Sequence, residues 1–417
     1  MQQSTDHAPD QFKDLSAGET GRWLLLALVS LVFFVTTGGT FSSLGVLLPA
    51  MVAELAWSWT EAGLGFTVLA LFTGLSSTLP ATIIKWFGIK APYLVGGIML
   101  ASGFFILSIT QSVTVYLCAA ALIGLGYSLT GAVPAVTILS SWFSAKRSLA
   151  IGVFFTFGAL GSVCAPLIAN YVLSVDMSWR LYWQIIAIIT GGLSIVLAIA
   201  AFLRAEAQSE PDSAAAMLDD ESQNWTFGEV LRNYQYHVIT LAMTITLLGT
   251  LTMNTWQVTH LQNLGVSATI AASALSMHAL FNAASRIGGG LIIDRVGAKV
   301  LFCFGLVSGV VGMFALSIAD SYPLILIFAI GDGICFGIVT FSSSILLLDY
   351  FGARNNPMIL GFQNLVTTLA MVGPVMAGGM ADRIGGFTEV FVIVSGLMLI
   401  VFLLSLTMKK PVRPQQV

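Results

Sequence analysis

Gly290-Leu-Ile-Ile-Asp-Arg-Val-Gly-Ala-Lys299 and, 209 residues earlier, Ala81-Thr-Ile-Ile-Lys-Trp-Phe-Gly-Ile-Lys90 share one frame: Ile-Ile in the middle, then Gly, then Lys. A second pair repeats at nearly the same spacing. Trp142-Phe-Ser-Ala-Lys146 is answered 208 residues on by Tyr350-Phe-Gly-Ala-Arg354. Both spacings are about half of the 417 residues. The chain therefore reads as two copies of one unit, and each matching stretch marks the same loop in its own copy.

What the unit is made of follows from composition. Hydrophobic residues make up 57% of the chain and charged residues 9%, and the mean hydropathy is +0.90. Soluble domains carry roughly 25% charged residues. This chain has too few to cover a surface in water, so lipid is its solvent, where only helices or closed barrels satisfy the backbone. Long unbroken apolar runs such as Leu24–Val35 and Ile185–Leu203 exclude the short alternating strands of a barrel. With their flanks they approach the ~20 residues of a crossing helix. Spans are expected near 23–51, 60–84, 91–109, 113–140, 148–173, 180–203, 234–261, 267–293, 300–319, 323–348, 357–381 and 387–408. The first apolar run reads as a spanning helix, without the pattern of a cleaved leader. The expected fold is an all-α membrane protein of twelve transmembrane helices in two pseudo-symmetric six-helix bundles.

The domain organisation follows. Residues 1–21 read as a polar N-terminal tail, 22–203 as the first bundle, 204–233 as a linker loop rich in Glu, Asp and Ser, 234–408 as the second bundle and 409–417 as a C-terminal tail. Basic residues fix the orientation. With the N-terminus inside, Lys13, Arg22, Lys85, Lys90, Lys146, Arg147, Arg204, Arg232, Arg295, Lys299, Arg354, Lys409, Lys410 and Arg413 are cytoplasmic, and Arg180 and Arg383 face out. Both termini and the linker are thus placed in the cytoplasm. The sequon Asn224-Trp225-Thr226 then escapes glycosylation. Short loops suit a multi-pass plasma membrane protein of a bacterial inner membrane. No basic stripe calls for nucleic acid. The four cysteines lie in apolar spans without metal-ligand spacing, so neither a metal nor a cofactor is expected, and the fold requires no second subunit.

At the repeated loops the chain resembles the major facilitator superfamily, whose signature after the second and eighth spans is G-x-x-x-D-R-x-G-x-K/R. The second copy is complete at Gly290, Asp294, Arg295, Gly297 and Lys299. The resemblance implies a cytoplasmic latch there, in which the Gly lets helices approach and the Asp caps a helix end and meets basic residues. The first copy carries Lys85 and Trp86 where Asp and Arg belong. Within the superfamily the chain is similar to the monocarboxylate porter and oxalate:formate antiporter group. The similarity rests on Trp57-Ser-Trp59-Thr60, on Trp142-Phe-Ser-Ala-Lys-Arg-Ser-Leu-Ala-Ile-Gly152, and on Ser285-Arg286-Ile-Gly288 leading into Asp294-Arg295. That resemblance implies an organic anion as substrate.

Polar residues inside the spans carry the rest. Arg286 lies about two turns before Asp294, too deep for an interface anchor. A charge near the bilayer centre costs about 2.5–3.5 kcal/mol or more. Two readings compensate it: a guanidinium holding a substrate carboxylate by paired hydrogen bonds, or a structural ion pair. His278, Asn282 and Arg286, at i, i+4 and i+8, form one stripe with about 6 Å between members. His278 is a titratable group suited to neutral pH or a hydrogen-bonded structural histidine. Asp332, in Gly331-Asp332-Gly333, is the acid well inside a span; it is expected to pair with Arg286, to carry a proton, or both. Asn254, Gln257 and Gln363 offer further polar contacts to substrate, and Tyr127 and Phe66 offer aromatic lining. Glu54 and Glu61, at the outer span ends, are expected to be solvated. The lysines that relatives carry on the first or eleventh span have no counterpart here, which favours a monoanion.

The expected function is a secondary active transporter of a small organic anion, a monocarboxylate foremost, working by alternating access with protons or a counter-anion. The alternative is a proton-driven exporter of drugs or other hydrophobic metabolites. It calls for a cavity acid without a dominant Arg, and Arg286 counts against it. A membrane-embedded enzyme would need a nucleophile and base or clustered metal ligands at one face. The four dispersed histidines do not supply them.

Overall fold

A computed structural model describes residues 8–88, 90–143, 147–175, 177–202, 225–352 and 355–412. Of the features singled out above, Lys146, Arg204, Arg354, Arg413, Asn224 of the sequon and most of the linker, 204–224, lie outside them. Among the described residues every regular element is a helix. The first half contains α1 (Ala8–Thr37), α2 (Ser43–Leu55), α3 (Trp59–Leu75), α4 (Leu79–Phe87), α5 (Ala91–Ser108), α6 (Val113–Thr130), α7 (Ala132–Trp142), α8 (Arg147–Ser174) and α9 (Trp179–Phe202). The short α10 (Phe227–Leu231) leads into α11 (Tyr234–Asn263), α12 (Ala268–Val296), α13 (Ala298–Ser317), α14 (Tyr322–Phe351), α15 (Asn356–Thr367), α16 (Gly373–Ile384) and α17 (Thr388–Thr407).

Ten of the resulting segments are long and apolar enough to cross a membrane. Two further crossings miss that mark for opposite reasons: α3 is apolar but short, and α12 is long but carries His278, Asn282, Arg286 and Asp294. The twelve crossings therefore stand, but four are not single α-helices. Pro80, Pro134 and Pro374 explain three of the breaks. Proline lacks the N–H for the residue four before it and its ring crowds that carbonyl. Those residues are Ser76, where α3 ends, Thr130, where α6 ends, and Ala370, inside the 3₁₀ turn Thr368–Val372 between α15 and α16. The expected spans 60–84, 113–140 and 357–381 are each broken there. The first crossing instead carries a π-helical turn, Gly38–Ser42. Its widened ring is closed by the Ser43 N–H to Gly38 O and by the Ser43 hydroxyl to the same oxygen at 3.0 Å.

The halves pack by one scheme. In the first, α5 lies against α6 and α9, α3 against α6, and α1 against α8 and α9. In the second, α13 lies against α14 and α17, α12 against α14, and α11 against α15, α16 and α17. Loop ends repeat too. Gly88 and Gly297, 209 residues apart, both adopt positive φ (+78° and +88°) and donate to Ile84 O and Ile293 O. Only glycine adopts that conformation without strain, which explains why glycine stands in both copies. Between the halves, α3 meets α16, α12 meets α8, and α2 meets α11. These are backbone-close contacts: a side chain at Gly45 would run into Asn254 O, and one at Gly63 into Pro374 O.

Call the face carrying the start of the first crossing and the end of α17 the terminal face. Five hydrogen bonds between the bundles lie in the far half. They join Trp59 and Thr60 to Asp382, Asn170 to Thr269 (3.2 Å) and Val375 N–H to Thr67 Oγ1 (3.3 Å). Trp59 also meets Trp256 and Phe387 edge-on at 5.7 and 5.9 Å.

Three expected boundaries change. Helix α1 starts at Ala8, so 8–21 extend a helix rather than forming a loose tail; Ala, Gln, Lys and Glu there are good helix formers. The linker ends at 224 in structural terms. Trp225 is buried against Phe351, Asn355 Nδ2 donates to Trp225 O at 2.7 Å, and α10 opens with a Thr226–Glu229 capping box. The C-terminal tail is tied at its root, where Gln235 Nε2 donates to Lys409 O at 3.1 Å. Glu54 is not simply solvated. Arg180 Nη2 meets its carboxylate at 3.0 Å and Trp179 Nε1 at 2.6 Å. Glu61 serves as the capping-box partner of Ser58.

The Gly38 turn generates a test. A Cβ there would stand 2.7 Å from Gly161 O and 2.8 Å from Ala165 Cβ. Gly38→Val is expected to lower stability by about 1–3 kcal/mol, the usual cost of overpacking, seen as a lower melting temperature in detergent.

Candidate functional site

The polar stripe of α12 faces α14, because glycines on α14 admit its backbone. A side chain at Gly333 would meet His278 O at 2.7 Å, and one at Gly337 would meet Asn282 O at 2.5 Å. With the two helices this close, His278 and Asp332 are brought face to face. His278 Nε2 stands 3.0 Å from Asp332 Oδ2, with side-chain exposures of 4% and 0%. The separation suits an ion pair, but the alignment falls short of a hydrogen bond, and no other group satisfies the carboxylate among the described residues. Phe328 lies parallel to the imidazole at 6.3 Å. The expected pairing of Asp332 with Arg286 is corrected: the acid's partner is His278, because Gly333, the residue after it, is what admits the α12 backbone at His278.

Two turns on, Arg286 is exposed within its span. Its Nε donates to Asn282 Oδ1 at 3.1 Å, and its guanidinium carbon lies 5.5 Å from the Phe336 ring centroid of α14. Its two terminal nitrogens have no acceptor among the described residues. The side of the guanidinium that can take a carboxylate in two parallel hydrogen bonds is thus unfilled, while Nε is held. Asn282 sets the direction of the fork.

The remaining sequence candidates have contacts of their own. Gln257 is fully buried and donates through Nε2 to Ala271 O at 3.0 Å, so it ties α11 to the first turns of α12. Asn254 contributes its backbone to the approach of α2. Gln363 is buried on α15 with Nε2 unpaired. Tyr127 packs edge-on to Phe41 at 5.3 Å in the other bundle, and Phe66 is fully buried behind Phe41 at 5.9 Å. His260 is a structural histidine, with Nε2 2.9 Å from Leu316 O. None of these makes a hydrogen bond to His278, Asn282, Arg286 or Asp332 among the described residues.

The motif residues separate by task. Gly290 lies against the Phe341 ring of α14. Gly297 ends α12, and Lys299 donates to Leu406 O and Met408 O, fastening α13 to the end of α17. Asp294 and Arg295 are exposed and make no hydrogen bond or ion pair among the described residues. One aspartate that bonds the two bundles together, Asp382, was missed in the sequence. Gly378, Asp382, Arg383 and Gly385 repeat the G-x-x-x-D-R-x-G spacing of Gly290, Asp294, Arg295 and Gly297. That copy lies at the far end of α16, outside the loops at which the half-chain repeat directs attention.

The Major Facilitator Superfamily family model matches residues 28–256 and 237–417. The chain is 25% identical over 391 residues to Monocarboxylate transporter 13 of Rattus norvegicus, covering 91% of this chain and 87% of that protein. It is 26% identical over 294 residues to the Oxalate:formate antiporter of Oxalobacter formigenes, covering 65% and 67%. Among solved structures, a bacterial homolog of the human lysosomal transporter Spinster superposes with a TM-score of 0.75 over 93% of this chain and 97% of that one, at 15% identity. The nucleoside transporter NupG gives 0.69 over 93% and 99%, also at 15% identity. Both structures are similar in fold.

The buried pair yields a prediction. His278→Ala leaves a buried carboxylate without its partner and is expected to destabilise by about 3–5 kcal/mol, whereas His278→Phe with Asp332→Leu together recovers most of that loss. Melting temperatures of the two variants in one detergent decide it.

Proposed function

The chain belongs to the Major Facilitator Superfamily, and on that premise we propose that this secondary transporter moves a small organic anion, a monocarboxylate, by alternating access. Arg286 holds the carboxylate. The observation that carries this reading is a guanidinium inside a span whose two terminal nitrogens have no protein acceptor among the described residues. A charge so placed needs compensation, and a bound carboxylate supplies it in the geometry the fork prefers. The relatives named as monocarboxylate transporters and as an oxalate:formate antiporter support an anion as cargo. A single in-span cation with an open fork among the described residues, with no lysine on the first or eleventh span to join it, favours a single negative charge.

The basic residues make the terminal face cytoplasmic. The bonds seen between the bundles in the far half support a conformation that opens the Arg286 level to the cytoplasm. His278 and Asp332 are the proton carrier. The pair is electrically neutral only while it holds one proton beyond the bare carboxylate and neutral imidazole, and charge separation this deep in the membrane is costly. Substrate and proton sites lie on the same rigid unit of α12 and α14, so both change access together when the bundles rock.

Uptake of labelled monocarboxylates into proteoliposomes tests both parts. Arg286→Gln is expected to weaken uptake and exchange together by about 30-fold or more, the cost of leaving one charge of a hydrogen-bonded pair unmatched. Asp332→Asn is expected to abolish accumulation driven by an inward proton gradient while counterflow of anion against anion persists. Wild-type behaviour of Arg286→Gln would move the exporter reading to the front. Loss of counterflow in a folded Asp332→Asn protein would remove the pair from proton coupling.

A further inference from the structure

We propose that Asp382 is the latch of the outer gate: a second copy of the Gly-x-x-x-Asp-Arg-x-Gly motif, engaged at the far face while the copy at Asp294 makes no bond among the described residues at the terminal face. The proposal rests on alternating access and is independent of what Arg286 binds.

The case begins at the first turn of α3. The first N–H groups of a helix have no partner within it. Here Ser58 Oγ accepts from Glu61 N–H at 3.1 Å, and the Glu61 carboxylate accepts in return from Ser58 N–H at 2.9 Å. Two donors are left, the N–H groups of Trp59 and Thr60. Both are satisfied by one carboxylate from the other bundle: Trp59 N–H donates to Asp382 Oδ1 at 3.0 Å and Thr60 N–H to Asp382 Oδ2 at 2.9 Å. The Thr60 hydroxyl donates to Oδ2 as well. A helix of the first half thus begins on a cap supplied by a residue 322 positions further along the chain. The negative charge also sits where the α3 dipole favours it.

Both glycines of the motif have a part. Gly378, one turn before Asp382, lies against Trp59 O and Thr60 N; a Cβ there would drive α3 and α16 apart. Gly385 closes α16 with φ +87° and donates to Ala381 O at 2.8 Å, just as Gly297 closes α12 with φ +88° and donates to Ile293 O at 2.8 Å. The two copies therefore end their helices by the same device and present their aspartates in the same way. What differs is occupancy. Asp382 is fully engaged, and Asp294 makes no bond among the described residues. The two lie at opposite faces, and a rocking motion that closes one face opens the other.

The bonds at Asp382 are at the water-exposed rim, where hydration replaces them readily. Such a contact is reversible and biases the outer gate without welding it. The aromatic contacts of Trp59 with Trp256 and Phe387 behind it set the closed packing.

Spin labels at Ser112 and Ser321, on exposed turns of the two bundles at the far face, report the width of that gate in a chain whose four cysteines have been replaced. No substrate is added, so the outcome does not depend on Arg286. Asp382→Ala is expected to raise the ratio of wide to narrow molecules by about ten-fold or more, the equivalent of one charge-assisted hydrogen bond, and Asp382→Asn to shift it in the same direction by less. Adding Asp294→Ala to Asp382→Ala is expected to return the ratio toward wild type, because it removes the opposing latch. An unchanged ratio in Asp382→Ala overturns the proposal, and a double variant as wide as the single one overturns the opposition of the two latches.

Discussion

Inside hydrocarbon there is no water to satisfy a backbone N–H or C=O that loses its helical partner. That constraint orders this structure. A crossing may break only where another group takes over the hydrogen bond, or where the break faces protein rather than lipid. The π turn at Gly38–Ser42 keeps its carbonyl through the Ser43 hydroxyl. The 3₁₀ turn ahead of Pro374 packs on α11 and α3, and the next free N–H, that of Val375, is taken by Thr67 of the opposite bundle. In the first and eleventh crossings, break and inter-bundle contact therefore coincide: the π turn meets α11 and the 3₁₀ turn meets α3.

Charge obeys a harsher version of the same rule. The structure disposes of the charges within its spans in two ways. Asp332 and His278 are sealed together between α12 and α14, so their field stays local. Arg286 is left with an open fork, so its charge awaits a partner. Both lie on one helix two turns apart, held against α14 by glycines that leave the helices almost backbone to backbone. The first bundle contributes aromatic rings within its spans, Phe41 and Tyr127, and no membrane-embedded charge among the described residues.

Much of this was legible in the sequence, for physical reasons that differ by feature. The twelve crossings follow from apolar length, and the two halves from the repeated loops around Gly88 and Gly297, since positive φ demands glycine in both. Arg286 stands out because its cost is so high. The partner of Asp332 was not legible, because it depends on which glycine of α14 meets which carbonyl of α12, a matter of helix rotation that periodicity leaves open. The breaks at Ser76 and Ala370 were readable in principle from Pro80 and Pro374, four residues on. The folded end of the linker was not legible because Trp225, Phe227, Val230 and Leu231 form too short an apolar stretch to read as a span, and the burial of Trp225 against Phe351 gives it meaning. The Gly378–Gly385 motif was hidden by its position, since a signature is sought where its family places it.

The broken crossings are unevenly shared. The first, second and fourth are each built from two helical pieces, whereas their counterparts α11, α12 and α14 run unbroken for 30, 29 and 30 residues. Mechanically the molecule is a compliant jaw closing on a stiff one. His278, Arg286 and Asp332 all sit on the stiff jaw. Selectivity can then drift by exchanging rings and small residues on the compliant side, while the machinery that couples binding to motion on the other side stays untouched. A scaffold divided in this way has room to change its cargo without relearning how to move.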